Sequence, residues 1–276
     1  MKKISKVLLC SAAAGIGAAG AFVYLIAPGK ISRKAKKPFM YKNFAHRGLH
    51  TRDKSVPENS LAAFEEASEL GYGMELDVQL SKDGEVVVFH DDTLNRVCGV
   101  DARVDEVYFD KLSKTSLCGT DETIPLFSEV LQTVRGRGPL IVELKTGRRN
   151  TELCEKTYEL LKKYRGDYCI ESFNPMIVRW FKKNAPEVVR GQLACPPDGY
   201  DGAVHPAVAF ILSRTLLNFL ARPQFIAYKI DEKPFAVKLC EFLGAMKVCW
   251  TSHEWVNEKQ NDVVIFEFYK PKLKFR

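Results

Sequence analysis

Eight short apolar runs recur along the chain with a helical stretch between most of them, and few folds accept that rhythm. The runs are Asn43–His46, Gly73–Gln79, Leu140–Lys145, Tyr168–Ser172, Val188–Leu193, Phe225–Lys229, Lys247–Thr251 and Val263–Glu267. Helices are expected at Ser60–Leu70, Leu126–Val134, Thr151–Tyr164, Pro175–Asn184 and Pro234–Leu243, with Asn59 or Ser60 capping the first and Gly71 ending it. The alternation predicts a (β/α)8 TIM barrel over residues 41–276. An open doubly wound sheet is the alternative, but HRGLH after the first run is not the Gly-rich phosphate loop that such a sheet wants.

Charge is unevenly placed. Residues 1–54 carry twelve Lys or Arg against one Asp, whereas the remaining 222 residues carry 29 basic and 33 acidic side chains. A basic N-terminus on a slightly acidic body points to anionic membrane lipids rather than to nucleic acid. Eight cysteines without a CxxC pair read as free thiols of a reducing compartment.

Residues 7–27, VLLCSAAAGIGAAGAFVYLIA, hold no charge and as a helix would span ~31 Å. They predict a transmembrane anchor within residues 1–29, followed by a basic juxtamembrane linker over residues 30–40. A cleaved signal peptide is the alternative, since Ala19-Gly20-Ala21 fits a cleavage site, but FVYLIA prolongs the apolar run beyond it. More cations lie on the C-terminal flank than before the span, which together with the cysteines favours the cytoplasmic side for the body and leaves the opposite side as the alternative.

The stretch GMELDVQLSKDGEVVVFHDD, Gly73–Asp92, raises the chemical question. Val86–His90 follows the second run too closely for a parallel crossover, so it must return antiparallel, with Asp83-Gly84 as a two-residue turn. That register sets Asp77 opposite His90. Glu75 and Asp77 leave the same face of their strand ~7 Å apart, where two carboxylates either repel or share a hard divalent cation such as Mg2+ or Ca2+. Glu143 in LIVELK is a third acid inside an apolar strand, with Lys145 two residues on. His46 and Arg47 end the first strand, at the barrel face that displays catalytic groups. Arg47 suits a phosphate, and two histidines with one cation suffice for phosphoryl transfer by acid–base catalysis. His50, His205 and His253 lie in polar or loop contexts and carry no expected role.

HRG, PENSLAAFEEA, ELDVQLSKDGEVVVFHDDTLNR, IPLFSEVL, VELK, ESFNP and CWTS, in that order from Tyr41 to Ser252, resemble the glycerophosphodiester phosphodiesterase family. The resemblance implies a metal-dependent barrel that hydrolyses glycerophosphodiesters to glycerol 3-phosphate and an alcohol. It implies His46 and His90 as the acid/base pair, Glu75, Asp77 and Glu143 as ligands of one divalent cation, and Arg47 and Lys145 as phosphate contacts. It also implies attack by the substrate's own glycerol hydroxyl, through a cyclic phosphate that water opens. Two places depart from the family pattern. Glu267 stands where an Asp-containing turn is usual, and Ser252-His253 follows the late Trp-Thr pair, so Trp250 either lines the pocket or simply packs. A phospholipase D-like or cyclising activity on lysophospholipids is a second reading, and a non-catalytic phosphodiester-binding barrel a third. Gly202–Pro223 is apolar around nearly its whole helical circumference, which fits either an ordinary barrel helix or a segment at a membrane interface.

Overall fold

A computed structural model of the protein describes residues 15 and 17–276. Its strands are β1 (Lys42–Ala45), β2 (Gly73–Leu80), β3 (Val86–Val88), β4 (Leu140–Leu144), β5 (Tyr168–Ser172), β6 (Val189–Ala194), β7 (Phe225–Lys229), β8 (Met246–Ser252) and β9 (Val263–Phe266). All except β3 are parallel to their neighbours, and pairing of β1 with both β9 and β2 closes an eight-stranded barrel. β3 lies outside the ring, antiparallel to the end of β2.

Side chains alternate across a strand, so every second residue enters the barrel. The inward series changes character along each strand. Phe44, Ile141, Cys169, Val189, Phe225, Met246 and Val263 pack together at the N-terminal end. Two to four residues on, the same faces present Glu143, Lys145, Glu171, Trp250 and Glu267. The outward series, including Leu76, Val78, Val142 and Ile170, packs against the helices Phe127–Val134 and Pro175–Asn184. Gly191 keeps the floor closed, because a Cβ there would run into the Phe225 ring. Residues 30–40 complete it: Ile31, Ala35, Phe39 and Met40 pack onto the floor residues, around the short helix Arg33–Lys36.

The membrane anchor is not borne out. No helix among the described residues is long and apolar enough to cross a membrane. Most of the first half of the expected span lies outside the described residues. Its helical residues 17–26 account for ~15 Å, half a bilayer core. The end of this helix is tied to the barrel: Asn218 Nδ2 donates to the Ile26 carbonyl at 3.0 Å, and Arg222 Nη1 to those of Tyr24 and Ala27 at 2.9 Å. Tyr24 also packs on Phe219. Hydropathy alone misread a segment whose terminal carbonyls are capped by the protein's own polar side chains. The single-pass localisation drawn from it falls too.

Two local expectations also change. Gly202–Pro223 is not one helix but two, Pro206–Ser213 and Asn218–Ala221, broken where Thr215 takes a left-handed φ of 52°. Its polar residues Ser213, Thr215 and Asn218 are buried. The β2–β3 register is displaced by one residue, pairing Leu80 with Val86 and Val78 with Val88. Ser81 N–H bonds the Glu85 carbonyl at 3.0 Å, which leaves a three-residue loop with Gly84 at φ 83°. Glycine in the left-handed last position is what such a loop requires. Asp77 is therefore opposite Phe89, and His90 lies beyond the strand end. Seven cysteines are free among the described residues, five of them buried, so no cross-link among these contributes to the fold.

Candidate active site

Parallel pairing places Asp77 beside Glu143 and Glu143 beside Glu171 on adjacent strands. Glu75, Asp77, Glu143 and Glu171 are all buried. Oxygen atoms from Glu75, Asp77 and Glu143 lie within 4.8 Å of one another, as the sequence predicts for a shared cation. The two cations among them do not balance four acids. Lys145 Nζ sits 2.9 Å from Glu143 and 3.3 Å from Asp77, and Arg47 Nε 3.6 Å from Asp77.

The imbalance divides the acids. Burial would raise Asp77, but Lys145, His90, Arg47 and a 2.9 Å hydrogen bond from Asn59 hold it well below the usual carboxylate range. Burial, and then the charges of Asp77, Glu143 and Glu171, push Glu75 well above it. Glu171 is raised for similar reasons, and its Oε2 has no hydrogen-bond partner. Sequence reasoning missed Glu171. It carries the signal that flagged Glu143, an inward acid in the apolar strand YCIES, but lies at the strand's end, where charge is ordinary.

The HRG turn explains itself here. Arg47 and Gly48 both take left-handed backbone, φ 54° and 79°, and a Cβ on Gly48 would meet Ala63 at 2.8 Å. The turn aims the Arg47 N–H at Glu75 Oε2, 3.0 Å away. Arg47 Nη1 reaches Glu58 at 2.7 Å. Arg96 then joins Glu58 to Asp91, both at contacts of 2.6–2.7 Å. Neither Glu58 nor Asp91 nor Arg96 was singled out from the sequence, because charges flanking turns and short helices read as ordinary surface until their partners are known.

Each expected catalytic histidine is backed by a carboxylate. His46 Nδ1 lies 2.6 Å from Glu267 Oε1, and His90 Nδ1 2.6 Å from Asp91 Oδ1. A carboxylate on Nδ1 fixes the tautomer and leaves Nε2 for chemistry. The His46 Nε2 is 3.8 Å from Glu75. Burial lowers the His46 pKa from its usual 6.5, outweighing Glu267, so the ring is neutral at pH 7. Glu267 is thus the carboxylate that backs His46 in this chain. Burial opposes its ionisation, but the His46 hydrogen bond and the adjacent His50 ring hold it low. His50 is near the site after all, and Phe268 packs edge-on against it at 5.0 Å. His205 instead caps the helix Pro206–Ser213, and His253 stacks on Phe268. Trp250 packs: its ring meets Phe173 at 5.7 Å while Nε1 donates to the Ala227 carbonyl.

The Glu58 carboxyl is lowered to about 2, because burial is outweighed by the Arg96 hydrogen bond and the charges of Arg47 and Arg96. A lowered folded value means stability that is complete above the ordinary 4.5 and is lost as pH falls towards 2. Glu58→Gln should therefore cost on the order of 2 kcal/mol at neutral pH. The gap in thermal midpoint from wild type should narrow as pH is lowered from about 5 to about 3. A constant gap would show that the ion pairs are not its source.

Comparisons with known proteins point to one family. The model of the glycerophosphoryl diester phosphodiesterase family matches residues 46–264. A glycerophosphodiester phosphodiesterase from Caldanaerobacter subterraneus subsp. tengcongensis is 37% identical over 161 residues, 54% of this chain and 65% of its own length. A human lysophospholipase D is 32% identical over 160 residues, 53% of this chain and 49% of its own length. The matches thus span between half and two thirds of these relatives. Among solved structures, a Thermotoga maritima glycerophosphodiester phosphodiesterase superposes with a TM-score of 0.59 at 25% identity, covering 81% of this chain and 93% of its own. An Oleispira antarctica phosphodiesterase, solved with its product sn-glycerol-3-phosphate, gives a TM-score of 0.65 at 23% identity, with 82% and 93% covered.

Proposed function

Because the chain belongs to the glycerophosphoryl diester phosphodiesterase family, we propose that it hydrolyses glycerophosphodiesters to sn-glycerol 3-phosphate and an alcohol by acid–base catalysis. The observation that carries this is the convergence of two carboxylate-backed imidazoles on one acid cluster at the C-terminal end of the barrel. The neutral His46 accepts the proton of the attacking glycerol hydroxyl at Nε2. As the new P–O bond forms and the ester P–O bond breaks, His90 donates a proton to the leaving oxygen. Asp91 stabilises the charged ring before that transfer. Water then opens the cyclic phosphate with the two roles exchanged.

Glu75, Asp77 and Glu143 fit one hard divalent cation, Mg2+ or Ca2+. They offer only oxygen donors, and Glu75 is pushed above its usual range by burial and then by the neighbouring acids whose charge a cation would offset. Such an ion supplies electrostatic stabilisation of the phosphoryl oxygens. Arg47 and Lys145 flank the same cluster and contribute positive charge towards the phosphate.

A second reading, head-group release from lysophospholipids, is favoured by an aromatic cluster that begins at the end of β5, two residues after Glu171. Phe173 packs there against both Trp250 and Tyr200, with Leu212 behind them. One assay separates the readings: full-length protein with glycerophosphocholine, glycerophosphoethanolamine or a lysophospholipid, in Mg2+ or Ca2+ and again in EDTA. Glycerol 3-phosphate release that EDTA abolishes supports the first. Turnover of the lysophospholipid alone supports the second. No release from any substrate refutes both.

A further inference from the structure

Beside the oxygen-only cluster lies a second group of donors with different chemistry. His46 Nδ1 and His50 Nε2 converge on one oxygen, Glu267 Oε1, at 2.6 and 3.4 Å. The His50 side chain is 9% exposed, and its Nε2 is buried without a hydrogen-bond partner. A buried ring nitrogen left unsatisfied is costly, and here it is aimed at the carboxylate that His46 already uses. Donor atoms of His46, His50 and Glu267 all lie within 4.8 Å of each other.

We propose that His46, His50 and Glu267 form an inhibitory site for a borderline transition metal such as Zn2+. Two imidazoles and one carboxylate are a zinc-type donor set, whereas Glu75, Asp77 and Glu143 suit hard cations. Ligands ~2.0–2.1 Å from a tetrahedral Zn2+ lie ~3.3 Å apart. The His50–Glu267 spacing of 3.4 Å already matches, His46 must retreat from 2.6 Å, and the two histidine donor atoms start within 4.8 Å of each other. Solvent supplies the fourth ligand, since His46 and Glu267 are each partly exposed.

Inhibition follows from counting protons. A neutral imidazole has one N–H and one lone pair. In the structure the Nδ1 proton serves Glu267, and the lone pair is on Nε2. If Zn2+ takes the Nδ1 lone pair, the proton leaves Nδ1 and returns at Nε2. The ring remains neutral but can no longer accept a proton. The metal thus disables the base without displacing a cation from Glu75, Asp77 and Glu143. That inhibitory half rests on the proposed hydrolysis, whereas the metal site itself does not.

The test uses full-length protein, wild type and His50→Phe, with His50→Leu as a second variant in case the first misfolds. Co2+ alone, as a spectroscopic probe, should give wild type the visible absorption of a tetrahedral nitrogen-ligated ion. Zn2+ should displace it, and the variants should lack it. Hydrolysis of glycerophosphocholine in saturating Mg2+ should be inhibited by Zn2+ in wild type, and more Mg2+ should not relieve it. Measured against each protein's own zinc-free rate, the variants should need at least about tenfold more Zn2+ for the same fractional inhibition. Equal zinc sensitivity in the variants, relief by Mg2+, or a Co2+ spectrum independent of His50 would each overturn the proposal. If no protein turns over substrate, the Co2+ spectrum still decides the site, and only the hydrolase reading fails.

Discussion

His46→Asn should lower kcat for glycerophosphocholine by about 10³-fold, within the range that one acid–base group contributes. Divalent-cation affinity should hardly move. His46 Nε2 faces Glu75 across 3.8 Å, so the ring borders the acid cluster without supplying one of its oxygens. Glu267→Gln should give a smaller loss, roughly 10–100-fold, because the amide oxygen still accepts from Nδ1 but brings no charge to the imidazolium formed during the reaction. The ordering matters more than either figure. Release of glycerol 3-phosphate gives kcat, and calorimetric titration with Ca2+ gives affinity. A His46→Asn protein retaining more than a tenth of wild-type turnover would remove His46 from the role of base.

Asp77→Asn should abolish both turnover and cation binding, yet cost less stability than its burial suggests. Taking one partner from a buried ion pair usually costs about 3–5 kcal/mol, because the remaining charge is stranded. Here Lys145 and Arg47 would lose an anion, but Glu75 stands ready as a replacement. After burial, the charge of Asp77 is the largest cause holding it up, so removing that charge favours ionisation of Glu75 beside Arg47. The net loss should be nearer 1–2 kcal/mol, a fall of a few degrees in thermal midpoint. A cation present at 100 times its Kd raises the stability of the native state by about 2.7 kcal/mol. Wild type should show that rise on adding Mg2+ or Ca2+, and Asp77→Asn should not. A cation-dependent rise in the variant would mean that the ion sits elsewhere.

The barrel itself was legible because its physics is local. β5 and β7 run over Tyr168–Ser172 and Phe225–Lys229, as their apolar runs predict, and the helix Pro175–Asn184 starts at its proline and Asn174 cap. Acids at inward positions stood out against apolar neighbours, and so Glu75, Asp77 and Glu143 were found together. What escaped depends on distant parts of the chain. Glu171 declares itself only through its register with Glu143. The β2–β3 register turned on the backbone of Asp83, which a two-residue Asp-Gly turn needs left-handed and which here is not, so that Gly84 closes a three-residue loop instead. His50 looked ordinary because its partner, Glu267, is more than two hundred residues away. Hydropathy suggested an anchor before residue 28, whereas Asn218 and Arg222, which tie down its end, lie nearly two hundred residues on.

The pairing of His46 with Glu267 also sets a clock. The two residues are 221 positions apart, one after the first strand and the other after the last. At about 5–20 residues per second, a ribosome needs roughly 10–45 s to make the second after the first. For that interval the histidine has no carboxylate behind it, and β1 lacks the neighbour that seals the barrel. The growing chain therefore cannot assemble this dyad ahead of the structure that shelters it. Competence arrives in one step, with the final strand.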